Sequence, residues 1–303
     1  MNHLPSSFLP RLFSTVALWL TIILAYVMRS EAAFCVLIAL PALISLWEYF
    51  SLLKAGGIAH HRGIGMGAAL VLTGLNFWFL RCPGMGTPLR EGGGGIFAVE
   101  AALLVLLMIL LFLREFSRPS PGRLTAEALA FTLSGVVYIP WLFLFMAKLL
   151  YLTPRDALGY TTGQYLVLFV VVVTKFTDVG AFLCGSLFGR THFFPNISPK
   201  KTWEGIAGGV LLGVLTGMAL FHFLGTLLPP FSMPLVCALS LLLAVAGIAG
   251  DLAESLLKRA VHSKDSGHVL PGIGGGMDLI DSLLFSMPLF YCLLQFLLPA
   301  ARG

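Results

Sequence analysis

Long apolar runs recur along this chain, and they constrain its fold more than any other feature. Nine runs can be counted, most of them about 18 to 25 residues long, which is the length that crosses a bilayer core as a helix. They cover about residues 12–28, 32–53, 66–80, 96–113, 127–151, 164–187, 204–228, 233–257 and 279–299. Because no water satisfies the peptide groups inside lipid, each run must form a helix. The sequence therefore predicts an all-α integral membrane protein with about nine transmembrane helices.

The distribution of lysine and arginine predicts how these helices are oriented. If the N-terminus lies in the cytoplasm, the inner loops hold twelve of the 19 basic residues and the outer loops hold six. Short cytoplasmic loops are enriched in Lys and Arg, so this bias favours an N-in, C-out arrangement. The first run follows Arg11 without a clear small-residue cleavage site, so we expect a retained helix and not a signal peptide.

Composition excludes several other classes of protein. A content of 58% hydrophobic residues and a mean hydropathy of +0.93 are not those of a soluble globular protein. The net charge of +5 suits contact with anionic lipid headgroups, and no nucleic-acid partner is expected because no such binding pattern appears. The five cysteines form no CxxC pair, so neither a disulfide nor a zinc site is predicted.

A few charged residues lie inside the apolar runs. Lys175 and Asp178 lie three residues apart in the sixth run, so they share a helix face and can pair. Ionisable residues within a membrane usually face a cavity or a functional site, although a structural ion pair between helices is the alternative. Glu48, near the inner end of the second run, is interpreted as an interfacial residue flanked by aromatic side chains.

The segment 189–205 separates the sixth and seventh runs and carries polar residues suited to a helix start. Ser198 and Thr202 are candidate caps for the following helix. Lys200 and Lys201 lie just before that helix N-terminus, where backbone N–H groups and the helix dipole favour phosphate. Ordinary positive flanking of a transmembrane helix is the alternative explanation for the two lysines.

The stretch 250–282 holds eight of the chain's 33 charged residues between two apolar runs. Charge beside lipid is costly, which points to a functional role. Four of its polar residues fall at helical offsets 0, 3, 4 and 7 and form one stripe: Asp251, Glu254, Ser255 and Lys258. Further along, glycines at 274–276 allow close backbone approach to a ligand, and Asp278 and Asp281 follow on one face of the last helix.

Carboxylates near the predicted inner ends of three helices indicate a metal site. The candidate ligands are Asp178, Asp251, Asp278 and Asp281. Ligands that offer only oxygen suit Mg²⁺, which commonly bridges carboxylates and substrate phosphates. The cations that would offset phosphate charge are Lys200, Lys201, Lys258, Arg259 and Lys264. This combination is typical of phosphoryl or nucleotidyl transfer, whereas helix N-capping would account for Asp278 alone.

The segment 255–281, SLLKRAVHSKDSGHVLPGIGGGMDLID, resembles the signature of the phosphatidate cytidylyltransferases, the CDP-diacylglycerol synthases. The residues that match this signature are Ser255, Lys258, Arg259, Lys264, Asp265, Gly267, Leu270, Pro271, Gly272, Gly274, Gly275, Asp278 and Asp281. The upstream segments TDVGAFLCGSLFGR, SPKKTWEG and GDLAES are also similar to family segments. Three positions depart from the pattern, since Ile273 stands where the family has His, Gly276 where it has a larger apolar residue, and Leu279 where it has Arg.

The resemblance implies a reaction in which CTP and phosphatidate give CDP-diacylglycerol and pyrophosphate. It implies Mg²⁺, a multi-pass protein of the inner membrane with its site facing the cytoplasm, and a possible homodimer. The implied catalytic residues are Asp251, Asp278, Asp281, Lys258, Lys264 and Asp265. The implied substrate-binding residues are Ser198, Lys200, Lys201, Glu254, Ser255, Arg259, Gly274 and Gly275. We expect residues 1–160 to form about five transmembrane helices and residues 161–303 to form the catalytic domain of about four.

Three alternatives remain open at this stage. The first is a CTP-dependent transferase or kinase that acts on an isoprenoid lipid. The second is an inactive relative, because of Ile273 and Leu279. The third is a membrane transporter whose buried charges line an ion path, although no paired half-chain repeat is visible.

Overall fold

A computed structural model of the chain describes residues 20–21, 23–81, 94–117, 122–153, 162–229, 231–261 and 274–300. The structure is helical, and an isolated β-bridge pairs His192 with Thr202. The helices are α1 (Glu31–Ala55), α2 (Arg62–Arg81), α3 (Gly94–Phe116), α4 (Arg123–Val136), α5 (Phe145–Leu150), α6 (Gln164–Phe188), α7 (Trp203–Leu224), α8 (Met233–Ala260) and α9 (Gly276–Ala300).

Within the described residues, eight helical segments are long and apolar enough to cross a membrane. They correspond to the second to ninth predicted runs, which confirms the all-α membrane fold. The first predicted run, 12–28, lies mostly outside the described residues, and its last residues, 23–28, are helical.

One membrane segment, Arg123–Leu150, is not a regular α-helix along its whole length. It comprises α4, a π-helical turn at Val137–Trp141 and α5. Pro140 lies in that turn. A proline has no N–H to donate and its ring clashes with the preceding turn, so local widening lets the segment continue past it.

Helices α6 and α7 are held together by a stripe of buried glycines. The glycines recur every fourth residue of α7, at positions 205, 209, 213 and 217. A Cβ at Gly209 would lie 2.7 Å from the Thr177 carbonyl oxygen of α6, so no larger residue fits. Small residues at this spacing let two helix backbones approach closely within a membrane. The packing positions the loop before α7 against the end of α6.

Helix α9 lies at the centre of the bundle and contacts α8, α1 and α6. At Gly250 of α8, an added Cβ would collide with the Asp281 carbonyl of α9. At Gly276, the first residue of α9, an added Cβ would lie 2.8 Å from the Ile44 side chain of α1. These two close contacts fix the height of α9 against its neighbours, and they lie at the level of the predicted site residues.

Candidate active site

Three carboxylates from two helices meet within the bundle and form what we call the acidic cluster. Asp251 and Glu254 come from α8 and Asp281 comes from α9, and one oxygen of each lies within 4.8 Å of the others. Glu254 and Asp281 are buried, whereas Asp251 is partly exposed. The i, i+3 spacing places the first two on one face of α8, and the contact at Gly250 brings Asp281 beside them.

A lysine from the loop before α7 reaches the acidic cluster. Lys201 Nζ lies 2.8 Å from Asp251 Oδ2. The backbone around this lysine is well held, because its carbonyl accepts the Phe193 N–H at 2.7 Å. Of the two candidate caps, Thr202 and not Ser198 caps α7, because its side chain accepts the Gly205 N–H at 3.1 Å. The loop therefore presents Lys201 to the cluster from a fixed position.

Lys258 links the acidic cluster to Asp278. Its ammonium group lies 2.9 Å from Glu254 Oε1 and also forms an ion pair with Asp278 Oδ1. The other oxygen of Asp278 accepts the Gly275 N–H at 2.8 Å, just before α9 begins. Asp278 thus caps its own helix and pairs with Lys258, while its side chain remains about one-third exposed.

A second polar group lies between α6 and α9. Lys175 Nζ donates to the Ser282 hydroxyl at 2.9 Å and lies 3.5 Å from Asp178 Oδ2. The Ser282 hydroxyl donates to Asp178 at 3.1 Å. The predicted pairing of Lys175 with Asp178 is therefore present, with Ser282 as a third member.

The structure places other predicted site residues around this centre. Lys200 is exposed beside Lys201, and the exposed Arg259 donates through Nε to the Ile197 carbonyl at 3.2 Å. Ser198 accepts the Lys201 N–H through its backbone carbonyl at 3.2 Å. Ser255 is half-buried on α8, next to Glu254.

The glycines before α9 let the chain pass close to Asp278. Gly274 has a φ of +121°, a conformation that side chains disfavour, and a Cβ there would lie 2.8 Å from Asp278 Oδ2. Gly275 donates the N–H that Asp278 accepts. Lys264 and Asp265, both predicted to be catalytic, lie outside the described residues.

Glu48 of α1 is a member of this region that the sequence interpretation missed. The interfacial interpretation is wrong, because the side chain is 3% exposed and its Oε2 accepts the Met277 N–H of α9 at 3.0 Å. An acidic residue inside an apolar run was the available signal. The run alone does not indicate which helix that residue faces.

The described site has an excess of negative charge. Five carboxylates lie at or beside the acidic cluster, and three lysines pair with them. The carboxylates are Asp178, Asp251, Glu254, Asp278 and Asp281, and the lysines are Lys175, Lys201 and Lys258. The carboxylates outnumber the lysines, and the buried Glu48 adds a further carboxylate beside them. The donors of the acidic cluster are all oxygen atoms, as Mg²⁺ prefers.

A cavity of about 740 Å³ extends from this polar region into the bundle. Lys175, Asp178 and Asp278 line one end of it, and the rest is almost entirely apolar, with residues such as Leu37, Val171 and Leu283. Along α6 the lining runs from residue 167 to residue 179, which corresponds to about 18 Å at 1.5 Å per residue. The cavity therefore joins a charged end to a long apolar channel.

The fold and the site together define an integral membrane enzyme with clustered carboxylates and lysines at the end of an apolar cavity. The chain belongs to the cytidylyltransferase family, whose model matches residues 10–297, and it is a nucleotidyltransferase of that family. It is 35% identical over 200 residues to a phosphatidate cytidylyltransferase of Bacillus subtilis (strain 168), covering 66% of this chain and 69% of the relative. It is 33% identical over 205 residues to a phosphatidate cytidylyltransferase of Staphylococcus haemolyticus, covering 68% of this chain and 73% of the relative.

Proposed function

We propose that this protein is a phosphatidate cytidylyltransferase that converts CTP and phosphatidate into CDP-diacylglycerol and pyrophosphate. The observation that carries the proposal is the charged end of the apolar cavity, lined by Lys175, Asp178 and Asp278. Lys258 connects Asp278 to Glu254 of the acidic cluster. The names of the relatives support the same reaction.

The cavity suits a substrate with a charged head and long apolar chains. Its polar end offers Lys175 for a phosphate, and the cavity, about 18 Å long along α6 with that end included, offers apolar walls for an acyl chain. Ligand sites of this kind combine apolar walls with a few polar groups that fix orientation. A phosphatidate bound in this way presents its phosphate at the acidic cluster while its chains stay inside the membrane.

Mg²⁺ is the proposed metal, and Asp251, Glu254 and Asp281 would hold it. The oxygen-only donors and the excess of carboxylates over lysines fit this ion. When bound, Mg²⁺ neutralises and orients phosphate groups. Asp178 and Asp278, also predicted as ligands, lie at the cavity wall with lysine partners of their own.

The chemistry proposed for the chain's own residues is positioning and charge neutralisation. A phosphatidate oxygen forms a bond to the α-phosphorus of CTP, the bond to the β-phosphate breaks, and pyrophosphate leaves with the electron pair. Because the attacking oxygen is already ionised, no protein nucleophile is required. Lys201 and Lys258 neutralise the phosphates, and the exposed Lys200 and Arg259 attract the triphosphate at the mouth of the site. Lys264 and Asp265 keep their predicted catalytic roles in this proposal.

The proposal includes the location of the protein. The bias of Lys and Arg supports an N-in, C-out orientation in the inner membrane, with the active site facing the cytoplasm. CTP is a cytoplasmic nucleotide, which agrees with that orientation. We include a homodimer on the family resemblance alone, and cross-linking in intact membranes tests it.

The test of this function uses purified protein in detergent with CTP labelled at the α-phosphate, phosphatidate and Mg²⁺. We expect labelled CDP-lipid from the wild type and a loss of at least about 100-fold in Asp281→Asn, because one of the three carboxylates that would hold Mg²⁺ loses its charge. Glu127→Gln is the control, since Glu127 pairs with Arg123 away from the site.

The alternatives give different results in the same experiment. If product forms only when an isoprenoid acceptor is supplied, the substrate is that isoprenoid lipid and not phosphatidate. Ion flux in liposomes without CTP dependence would favour a transporter. Equal CDP-lipid from the wild type and Asp281→Asn would contradict the proposed site.

A further inference from the structure

Glu48 occupies an unusual position for a carboxylate. It lies within the apolar helix α1, is 3% exposed, and has no salt bridge among the described residues. Its Oε2 accepts the Met277 N–H, and its Oε1 is buried without a hydrogen-bond partner in the described part of the chain. A buried charge is costly unless something compensates it. The compensation here is the N-terminus of α9, whose free N–H groups and dipole favour an anion.

The backbone around Gly276 shows how closely α1 approaches the start of α9. A Cβ at Gly276 would lie 2.8 Å from Ile44, 3.2 Å from the Ser45 hydroxyl and 3.5 Å from Glu48 Oε2. A Cβ here would force Ile44 to shift, so this contact favours glycine. Gly276 is one of the three positions at which the sequence departs from the family signature, and it lies where α1 contacts α9. The departure and the buried Glu48 therefore belong to one contact.

That contact adjoins the acidic residues of α9. Met277, which Glu48 holds, precedes Asp278, and Asp281 follows one turn later. Asp278 itself accepts the Gly275 N–H. Glu48 and Asp278 thus share the free N–H groups at the start of α9. Glu48 accepts the Met277 N–H, and Asp278 accepts the Gly275 N–H. A change in Glu48 would therefore disturb the first turn of α9, which contains Asp278 and leads to Asp281.

We propose that Glu48 is a positioning residue of the active site, supplied by the N-terminal half of the protein. It holds the start of α9 so that Asp281 meets Asp251 and Glu254, and it does not itself touch the reacting groups. This inference rests on the proposed function for its biological meaning. The divalent-cation site that it predicts can be measured without any reaction.

The experiment measures Mn²⁺ binding by electron paramagnetic resonance in detergent, with neither CTP nor lipid present. We expect Glu48→Ala to weaken Mn²⁺ binding by about 10- to 100-fold, the effect seen when groups that orient metal ligands are removed. Glu48→Gln keeps an oxygen that can accept the Met277 N–H, so we expect a smaller loss. Glu31→Ala is the control on the same helix, because Glu31 pairs with Arg81 at the opposite end of α1.

The inference is wrong if Glu48→Ala binds Mn²⁺ as the wild type does, or if Glu31→Ala loses as much affinity. If Glu48→Ala does not fold, Gly276→Ala decides, because it disturbs the same contact from the α9 side and leaves Glu48 in place. Wild-type Mn²⁺ affinity in Gly276→Ala would then overturn the inference. A wild type that binds Mn²⁺ but makes no CDP-lipid defeats the proposed function and leaves the binding comparison intact.

Discussion

At the scale of single residues, the lysines of the site contact the carboxylates that a metal ion would bind. Lys201 lies 2.8 Å from Asp251, and Lys258 bridges Glu254 and Asp278. An ammonium group at a carboxylate oxygen competes with a cation for that oxygen. Lys201 must therefore leave Asp251, at least in part, for a divalent ion to bind there, and it is then available to a phosphate.

This competition predicts that Lys201→Met binds divalent cations more tightly and turns over more slowly. A partly exposed ion pair contributes about 0.2–1 kcal/mol, so we expect Mn²⁺ affinity to rise by a factor of about 1.4 to 5. The loss of a phosphate cation should lower turnover by about 100-fold. Titration with Mn²⁺ and a rate assay on the same preparation measure both effects.

Lys200→Met is the matched control for the affinity measurement, because Lys200 is exposed and adjacent. Its Mn²⁺ affinity should stay at the wild-type value. Unchanged Mn²⁺ binding in Lys201→Met would contradict the competition, and weaker binding would show that the lysine supports the site.

At the scale of helices, glycines decide which residues meet. The contact of Gly250 with the Asp281 carbonyl sets α8 and α9 at the height where their carboxylates converge. The glycine stripe of α7 sets the position of α7 against α6, and with it the position of the loop that carries Lys201. Close backbone contact is a common way for helices to associate in lipid. Moving apolar side chains from lipid into a helix interface gains little free energy, because both surroundings are apolar.

Gly250→Ala should therefore separate α8 from α9. We expect a destabilisation of about 1–3 kcal/mol, the usual effect of overpacking, together with weaker Mn²⁺ binding at the acidic cluster. Gly67→Ala in α2 is the control, since a Cβ at Gly67 would contact nothing within 4 Å. Thermal unfolding in detergent and Mn²⁺ titration give the comparison, and equal stability of the two variants would refute the packing argument.

The apolar cavity gives a second prediction for α1. Leu37→Trp places a large ring in the cavity, so we expect the KM for phosphatidate to rise by about tenfold, while the KM for CTP stays unchanged. Leu40→Trp is the control, because Leu40 is 54% exposed on the outside of the same helix. Kinetics with each substrate varied in turn measure the effect. A larger change in the KM for CTP would place the nucleotide, and not the lipid, in this cavity.

At the scale of the whole molecule, orientation determines which compartment supplies the nucleotide. The proposed topology places Lys200 in the cytoplasm and Arg81 outside. In a background without the natural cysteines, Lys200→Cys should react with a membrane-impermeant thiol reagent only in inside-out vesicles. Arg81→Cys should react only in right-side-out vesicles, and the reverse pattern would invert the topology.

The sequence by itself determined the features that depend on neighbours along the chain. Eight of the nine predicted spans, the Thr202 cap and the pairing of Lys175 with Asp178 are present in the structure. Each follows from local physics: the length needed to cross lipid, a side-chain oxygen at a helix start, and a three-residue spacing on one face. The acidic stripe of α8 was predictable for the same reason.

Only the tertiary structure decided which carboxylates meet. It groups Asp251 and Asp281 with Glu254, places Asp278 against Lys258, and brings Glu48 of α1 to the start of α9. These arrangements depend on the height and rotation at which separate helices pack. Apolar runs do not specify that height or rotation, because a lipid-exposed face and a packed face have nearly the same composition.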